Sequence, residues 1–242
     1  MVAIVYGLLC HLAFAAGVGA MMVVLFSGMT SGLGRLPQPW SWFADALLLL
    51  QFPLLHSVLL SRRGGAALRR LAPPGLGTPL MSTTYALVAS LQTGLLFLGW
   101  TPIGRVLWQA HGATFVVFAT CYGAAWLLLL KAVVDAGFAL QTGLLGWRAV
   151  VRGRAPDYPP MPTRGLFRLI RQPIYVAFAL TLWTVPTITP DGLVVALVLT
   201  AYCLIGSMIK EARFARRFGT AFAGYRAKTP FWVPLPVRRK EL

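Results

Sequence analysis

The sequence predicts an all-α, polytopic membrane protein with about five or six membrane helices, a short C-terminal helical hairpin and an interfacial C-terminal helix. Three observations carry that prediction. Hydrophobic residues make up 57% of the chain and charged residues 12%, about half the charged share of a soluble domain. Met1 to Gly34 and Val106 to Leu130 carry no charge at all. Apolar runs of that length cross a bilayer, and their backbone groups must pair internally, which favours helix. Finally, the basic residues gather in three segments: Arg62, Arg63, Arg69 and Arg70; Arg148 to Arg171; and Lys210 to Lys240. The loops between hold only Arg35 and Arg105, a positive-inside pattern.

Four spans come first, near Val2–Phe26, Ala44–Leu60, Tyr85–Trp100 and Ala113–Val134. The first lacks a basic leader and is too long for a signal-peptide core, so it reads as a retained helix. Trp40, Trp42, Trp100 and Trp108 fall near span ends, where an interfacial aromatic belt belongs. The stretch 61–83 reads as a basic loop with Pro73-Pro74-Gly75. A connecting or amphipathic segment follows near Asp135–Trp147. Arginine and proline from Arg152 to Pro162 mark the best boundary. This divides the chain into a four-helix transmembrane region, 1–134, and a C-terminal region, 135–242.

The last apolar stretch breaks at Pro186 to Gly192, where proline and glycine end one helix and Asp191 opens the next. The two arms, 174–185 and 193–209, reach roughly 18–26 Å at 1.5 Å per residue. That is short of the roughly 30 Å hydrocarbon core. A final helix is expected over Ser207 to Arg226. Phe214, Phe218, Phe222 and Tyr225 form one stripe at helical spacing, with Arg213, Arg216 and Arg217 off it, toward phosphate and water. Six crossings would place both termini in the cytoplasm of a bacterial-type inner membrane.

The net charge of +16 does not mark a nucleic-acid binder, because its distribution follows the membrane. Its partner is the anionic lipid surface. Cys10, Cys121 and Cys203 sit in separate apolar runs with no metal-ligand spacing, so no metal site is expected. Nothing in the sequence sets an oligomeric state.

Function points to the end of the chain. Arg171-Gln172-Pro173-Ile174-Tyr175 opens the hairpin. Lys210-Glu211, Phe218-Gly219 and Tyr225 follow it. In this order the residues resemble the isoprenylcysteine carboxyl methyltransferase family, whose members carry Arg-His-Pro-x-Tyr, a hairpin, Glu-Glu, and Phe-Gly-x-x-Tyr-x-x-Tyr with a following proline. The resemblance covers 164–236. Gln51 to Ser57, Tyr85 to Leu91, Trp100 to Ile103 and Gly165 to Ile170 are closer to one branch, the bacterial methanethiol S-methyltransferases. It implies an S-adenosylmethionine-dependent methyltransferase. The donor would be held by Gln172, Pro173, Tyr175, Glu211, Phe218 and Tyr225, with Arg171, Glu211 and His56 as catalytic candidates. The acceptor would be a small or lipophilic thiol, most simply methanethiol giving dimethyl sulfide. Three positions depart from the pattern: Gln172 replaces histidine, Lys210 the first glutamate, and Phe222 the first tyrosine. Glutamine cannot become cationic, and lysine reverses a charge beside a cationic donor.

The residues carry their own argument. Methyl transfer from a sulfonium is an in-line displacement that needs two reactants held in register. A thiol must ionise first. Arg168 and Arg171 favour a thiolate, and Glu211 suits the donor's amino group or Arg171. His56, beside Ser57 at the inner end of the second span, is a base or an entrance residue by its intramembrane position. Asp45 reads as a helix-end residue, Lys131 and Asp135 as a local i,i+4 pair, and Lys210 and Arg217 as solvated or lipid-facing. Three alternatives stand beside the thiol methyltransferase. One is a relative that keeps the fold without the donor. Another is a methyltransferase for lipid amines or isoprenylcysteine. The third is a transporter, suggested by the broken hairpin.

Overall fold

Helices occupy nearly all the apolar runs. A computed structural model describes residues 1–235; the end of the third basic segment, with Arg238, Arg239, Lys240 and Glu241, lies outside the described residues. The elements are α1 (Val2–Phe26), α2 (Trp40–Leu59), α3 (Arg62–Leu71), α4 (Met81–Gly99), α5 (Gly112–Asp135), α6 (Phe138–Gln141), α7 (Leu144–Val151), α8 (Pro173–Trp183) and α9 (Pro190–Lys228). Five of them, α1, α2, α4, α5 and α9, are long and apolar enough to cross a membrane, and α8 is a shorter apolar helix. The protein is an all-α integral membrane protein.

Two elements differ from the sequence reading. Residues 62–71 form a helix inside the basic stretch expected to be a loop, because the Ser61 hydroxyl accepts from the Gly64 N–H at 3.1 Å and caps it. The second hairpin arm and the final helix are one element, α9, of 39 residues. Its break comes later than expected, at Gly219, whose φ of 52° and ψ of −123° suit only glycine.

The core lies where α1, α4, α8 and α9 meet. Met21, Val24, Leu96, Phe97, Leu182, Val195 and Leu199 are buried together there. Packing of α1 on α4 depends on small residues: a side chain at Gly17 would collide with the Ser90 carbonyl at 2.5 Å. Lipid supplies no hydrophobic drive between helices, so close backbone approach is what holds such a pair. Polar clasps add to it. The Gln92 amide donates to Gln51 Oε1 at 2.9 Å, joining α4 to α2. The Trp147 indole donates to His11 at 3.0 Å, joining α7 to α1.

At the end away from the basic segments, the turn between α8 and α9 is pinned. A two-residue strand β1 (Trp108–Gln109) pairs antiparallel with β2 (Thr187–Ile188), Trp108 opposite Ile188. Buried Asp191 accepts from the Ile103 N–H at 3.0 Å. Buried Asp45 accepts from the Thr101 N–H at 3.0 Å. Asp45 is therefore an anchor for the 101–103 loop, not a helix-end residue. Replacing Asp191 by alanine leaves a backbone donor without its charged acceptor. The expected cost is about 1–3 kcal/mol, read as a lower thermal midpoint in detergent. An unchanged midpoint would remove this anchor from the account of the fold.

Candidate active site

Three separate segments converge at the basic end. The first is a turn of 3-10 helix, Gly165–Arg168. It is held by Asp135, which accepts from the Leu166 N–H at 2.8 Å and also pairs with Lys131. The predicted i,i+4 pair thus does a second job, tying the end of α5 to the turn. The second segment is the start of α8, where buried Pro173 takes a first-turn position, at which a missing N–H costs nothing. The third is the second half of α9.

Arg171 and Glu211 form a two-pronged ion pair. Arg171 Nε donates to Glu211 Oε1 at 2.7 Å and Nη2 to Oε2 at 3.2 Å. Their side chains are only 10% and 12% exposed, so solvent screening is weak. Arg171 Nη1 donates to the Arg226 carbonyl at 3.3 Å and to the Thr229 carbonyl. Buried Gln172 donates to Glu211 Oε1 at 3.0 Å and accepts from Lys210 Nζ at 3.3 Å. The Lys210 ammonium lies over the rings of Phe167, Tyr175 and Phe214, at 5.5, 5.6 and 5.3 Å from their centroids. Lys210 is therefore held inside the cluster, not turned to solvent or lipid.

Tyr175 links this cluster to the membrane interior. Its ring packs on Gly206, where an added side chain would stand 3.3 Å from Tyr175 and 3.5 Å from Tyr202. Tyr202 meets His56 edge-on, with centroids 6.3 Å apart. His56 Nε2 lies 2.6 Å from the Tyr85 hydroxyl, and Phe52 stacks on the imidazole at 5.1 Å. The other ring nitrogen, Nδ1, is buried with no hydrogen-bond partner among the described residues. Arg213 lies near enough to act electrostatically on His56, Tyr85, Tyr175 and Tyr202 together.

The structure thus brings Arg171, Gln172, Pro173, Tyr175 and Glu211 together, and reaches His56 through Tyr202. Phe218 and Tyr225 stand differently. Phe218 packs edge-on against Phe214 at 5.3 Å, behind the cluster. The Tyr225 hydroxyl donates to the Phe167 carbonyl at 2.6 Å, which fixes the turn. Phe218 thus meets the cluster through Phe214, and Tyr225 through the Phe167 carbonyl. Tyr85, Tyr202 and Arg213 were not among the site residues expected from the sequence, which read Arg213 as facing phosphate and water. A signal existed for two of them: Tyr202, Gly206, Lys210 and Arg213 recur at helical spacing along one face of α9.

Two depressions among the described residues lie beside the ionic cluster's neighbours and are not lined by Arg171, Gln172, Lys210 or Glu211. A groove of about 380 Å³ follows Ala215, Gly219, Phe222, Ala223, Arg226 and Ala227. An apolar cavity of about 60 Å³ lies among Met21, Phe52, Thr93, Leu96, Phe97, Phe178 and Leu199. Phe52, one of its walls, is the residue that stacks on His56.

Comparison with known proteins agrees with this architecture. No family model matches the chain, and no solved structure matches it significantly. A methanethiol S-methyltransferase from a Pseudomonas strain is 26% identical over 96% of this chain and 89% of its own length. Methanethiol S-methyltransferase 2 of Bradyrhizobium diazoefficiens is 30% identical over 78% of this chain and 72% of its own. Nurim of Pan troglodytes is 31% identical over 68% of this chain and 63% of its own. The two methanethiol S-methyltransferases, together with the helical membrane architecture, support a membrane methyltransferase. The chain belongs to the methanethiol S-methyltransferase family, consistent with the isoprenylcysteine carboxyl methyltransferase-like pattern of its C-terminal motif.

Proposed function

We propose that the protein methylates a small apolar thiol, most simply methanethiol, with S-adenosylmethionine as donor, in a bacterial-type inner membrane with its basic end in the cytoplasm. The observation that carries this reading is the continuity of one site. It runs from the Arg171–Glu211 pair, through Lys210, Tyr175 and Tyr202, to an imidazole with a free nitrogen.

The residues fit the donor. A guanidinium and a carboxylate side by side match the two charges of an amino-acid end, and aromatic faces suit a cation. When bound, S-adenosylmethionine supplies an electrophilic methyl group. Arg171 and Glu211 would hold its polar end, and Gln172 keeps Glu211 aimed.

His56 and its neighbours prepare the acceptor. Two hydrogen arrangements satisfy the Tyr85 contact. If His56 Nε2–H donates to the Tyr85 oxygen, the tyrosine proton turns to the His56 carbonyl at 3.4 Å. Nδ1 is then a bare lone pair in an apolar setting. In the other arrangement Nδ1 carries a hydrogen with no acceptor. The first makes His56 a base: the thiol proton passes to Nδ1, and the thiolate left behind is the nucleophile. A small apolar acceptor would meet His56 beside Phe52, which also walls the apolar cavity of about 60 Å³.

The test is direct. Membranes containing the protein, given methyl-labelled S-adenosylmethionine and methanethiol, are expected to release labelled dimethyl sulfide. Folded protein that yields none sinks the reading. A second reading has one observation behind it. Glu211 is already paired with Arg171 and Gln172, as a relative that keeps the fold without the donor would have it. Calorimetry separates the two: micromolar binding of S-adenosylhomocysteine rejects the second reading.

A further inference from the structure

Lys210 is an unusual residue to find inside three aromatic walls. The walls come from separate parts of the chain: Phe167 from the 3-10 turn, Tyr175 from α8 and Phe214 from α9. Each is fixed independently of the lysine. Phe167 is buried, and its carbonyl accepts from Tyr225. Tyr175 lies against Gly206. Phe214 is wedged edge-on between Phe218 at 5.3 Å and Phe222 at 6.0 Å. Among the described residues no carboxylate forms a salt bridge with Lys210, and the neighbouring Glu211 is engaged by Arg171 and Gln172. The ammonium has one side-chain oxygen, that of Gln172 at 3.3 Å, and three ring faces.

Convergent ring faces within about 6 Å of a cation attract it through their quadrupoles, and cages of this kind recognise onium groups. The lysine stem is long and flexible, and it stands where α9 leaves its apolar stretch. A lysine so placed can withdraw its head toward water while its stem stays on apolar surface. We propose that Phe167, Tyr175 and Phe214 form a recognition box for the positively charged sulfonium of the methyl donor, and that Lys210 is its displaceable occupant. This rests on the reading that a sulfonium donor binds here. The lysine ammonium and the donor's positive charge then compete for one box. Loss of the methyl group leaves a neutral sulfide, for which the rings have less attraction, and Lys210 returns. The exchange makes the site respond to the charge of its ligand, not only to its shape.

Two experiments test it on the full-length protein in detergent. Calorimetry compares S-adenosylmethionine with S-adenosylhomocysteine on the wild type, Lys210→Met and Lys210→Arg. Lys210→Met is expected to shift the affinity ratio at least tenfold toward the cationic ligand, and Lys210→Arg to leave it near the wild-type value. In the wild type, acylation of Lys210 followed by mass spectrometry is expected to be slow in the free protein. It should quicken with S-adenosylmethionine and change little with S-adenosylhomocysteine. This arm decides the matter if the variants fail to fold. An unmoved ratio, or a labelling rate indifferent to the cationic ligand, overturns the inference. If S-adenosylhomocysteine binds the wild type while either result is negative, the box alone is wrong. If neither ligand binds the wild type or Lys210→Met, the proposed function falls as well.

Discussion

Glu211→Gln is expected to cut methyl transfer by at least ~100-fold, the scale on which removal of one preorganised charged group acts in a water-poor site. The substitution keeps the shape and one acceptor oxygen but strips Arg171 of its counter-charge. With both side chains about nine-tenths covered, the guanidinium stays largely desolvated, and stability should drop by about 2–3 kcal/mol. The two effects can be separated. Arg171→Met combined with Glu211→Leu removes both charges and leaves apolar groups of similar reach. The double variant should regain most of the lost stability, because neither charge is stranded, while remaining inactive. A double variant as unstable as the sum of its singles would show that the pair contributes no coupling. A double variant that regains activity would place the chemistry elsewhere. Thermal unfolding and labelled methyl release, measured on the same preparations, give both answers.

The second large effect belongs to His56. His56→Phe should slow turnover by about 10²–10⁴-fold at neutral pH, the usual weight of a positioned base. It would also leave the Tyr85 hydroxyl without its 2.6 Å partner, so it is best made together with Tyr85→Phe. Losing both partners to apolar groups of similar shape is close to neutral for stability. The pH profile distinguishes a base from a packing residue. Without His56, only solvent can remove the thiol proton. The rate should then climb about tenfold per pH unit up to the acceptor's own pKa, because the thiolate alone attacks. The wild type should depend on pH far less steeply in the same range. A His56→Phe, Tyr85→Phe protein with the wild-type rate and profile would remove the base from the mechanism.

Much of the ionic site could be read before the fold was known, for a physical reason. Arg171, Gln172, Tyr175 and Glu211 are polar groups at the two mouths of an apolar hairpin, and its geometry forces those mouths together. The deeper half was hidden by one misplaced break. With a helix start expected at Ser207, the angular phase between Tyr202 and Arg213 is lost. On the continuous α9 they are eleven residues apart, about three turns, and share a face. Lys210 was legible only as a charge of the wrong sign, since its three walls are remote from one another in sequence. Asp45 was misread because a carboxylate that accepts a backbone N–H from residue 101 looks, in sequence, like any acid near the end of a span.

The length of α9 has a consequence for how the protein meets its bilayer. From Pro190 to the break at Gly219 the helix covers roughly 44 Å at 1.5 Å per residue, against a hydrocarbon layer of roughly 30 Å. The surplus must tilt or protrude. The same stiff rod carries Asp191 at one end and Glu211 toward the other. Lipid tail length therefore sets how deeply Glu211 and Lys210 are immersed. Reconstitution in short-chain and long-chain phosphatidylcholine should give different turnover with the same folded fraction. Equal rates across tail lengths would mean that neighbouring helices, not the lipid, hold the rod at its depth.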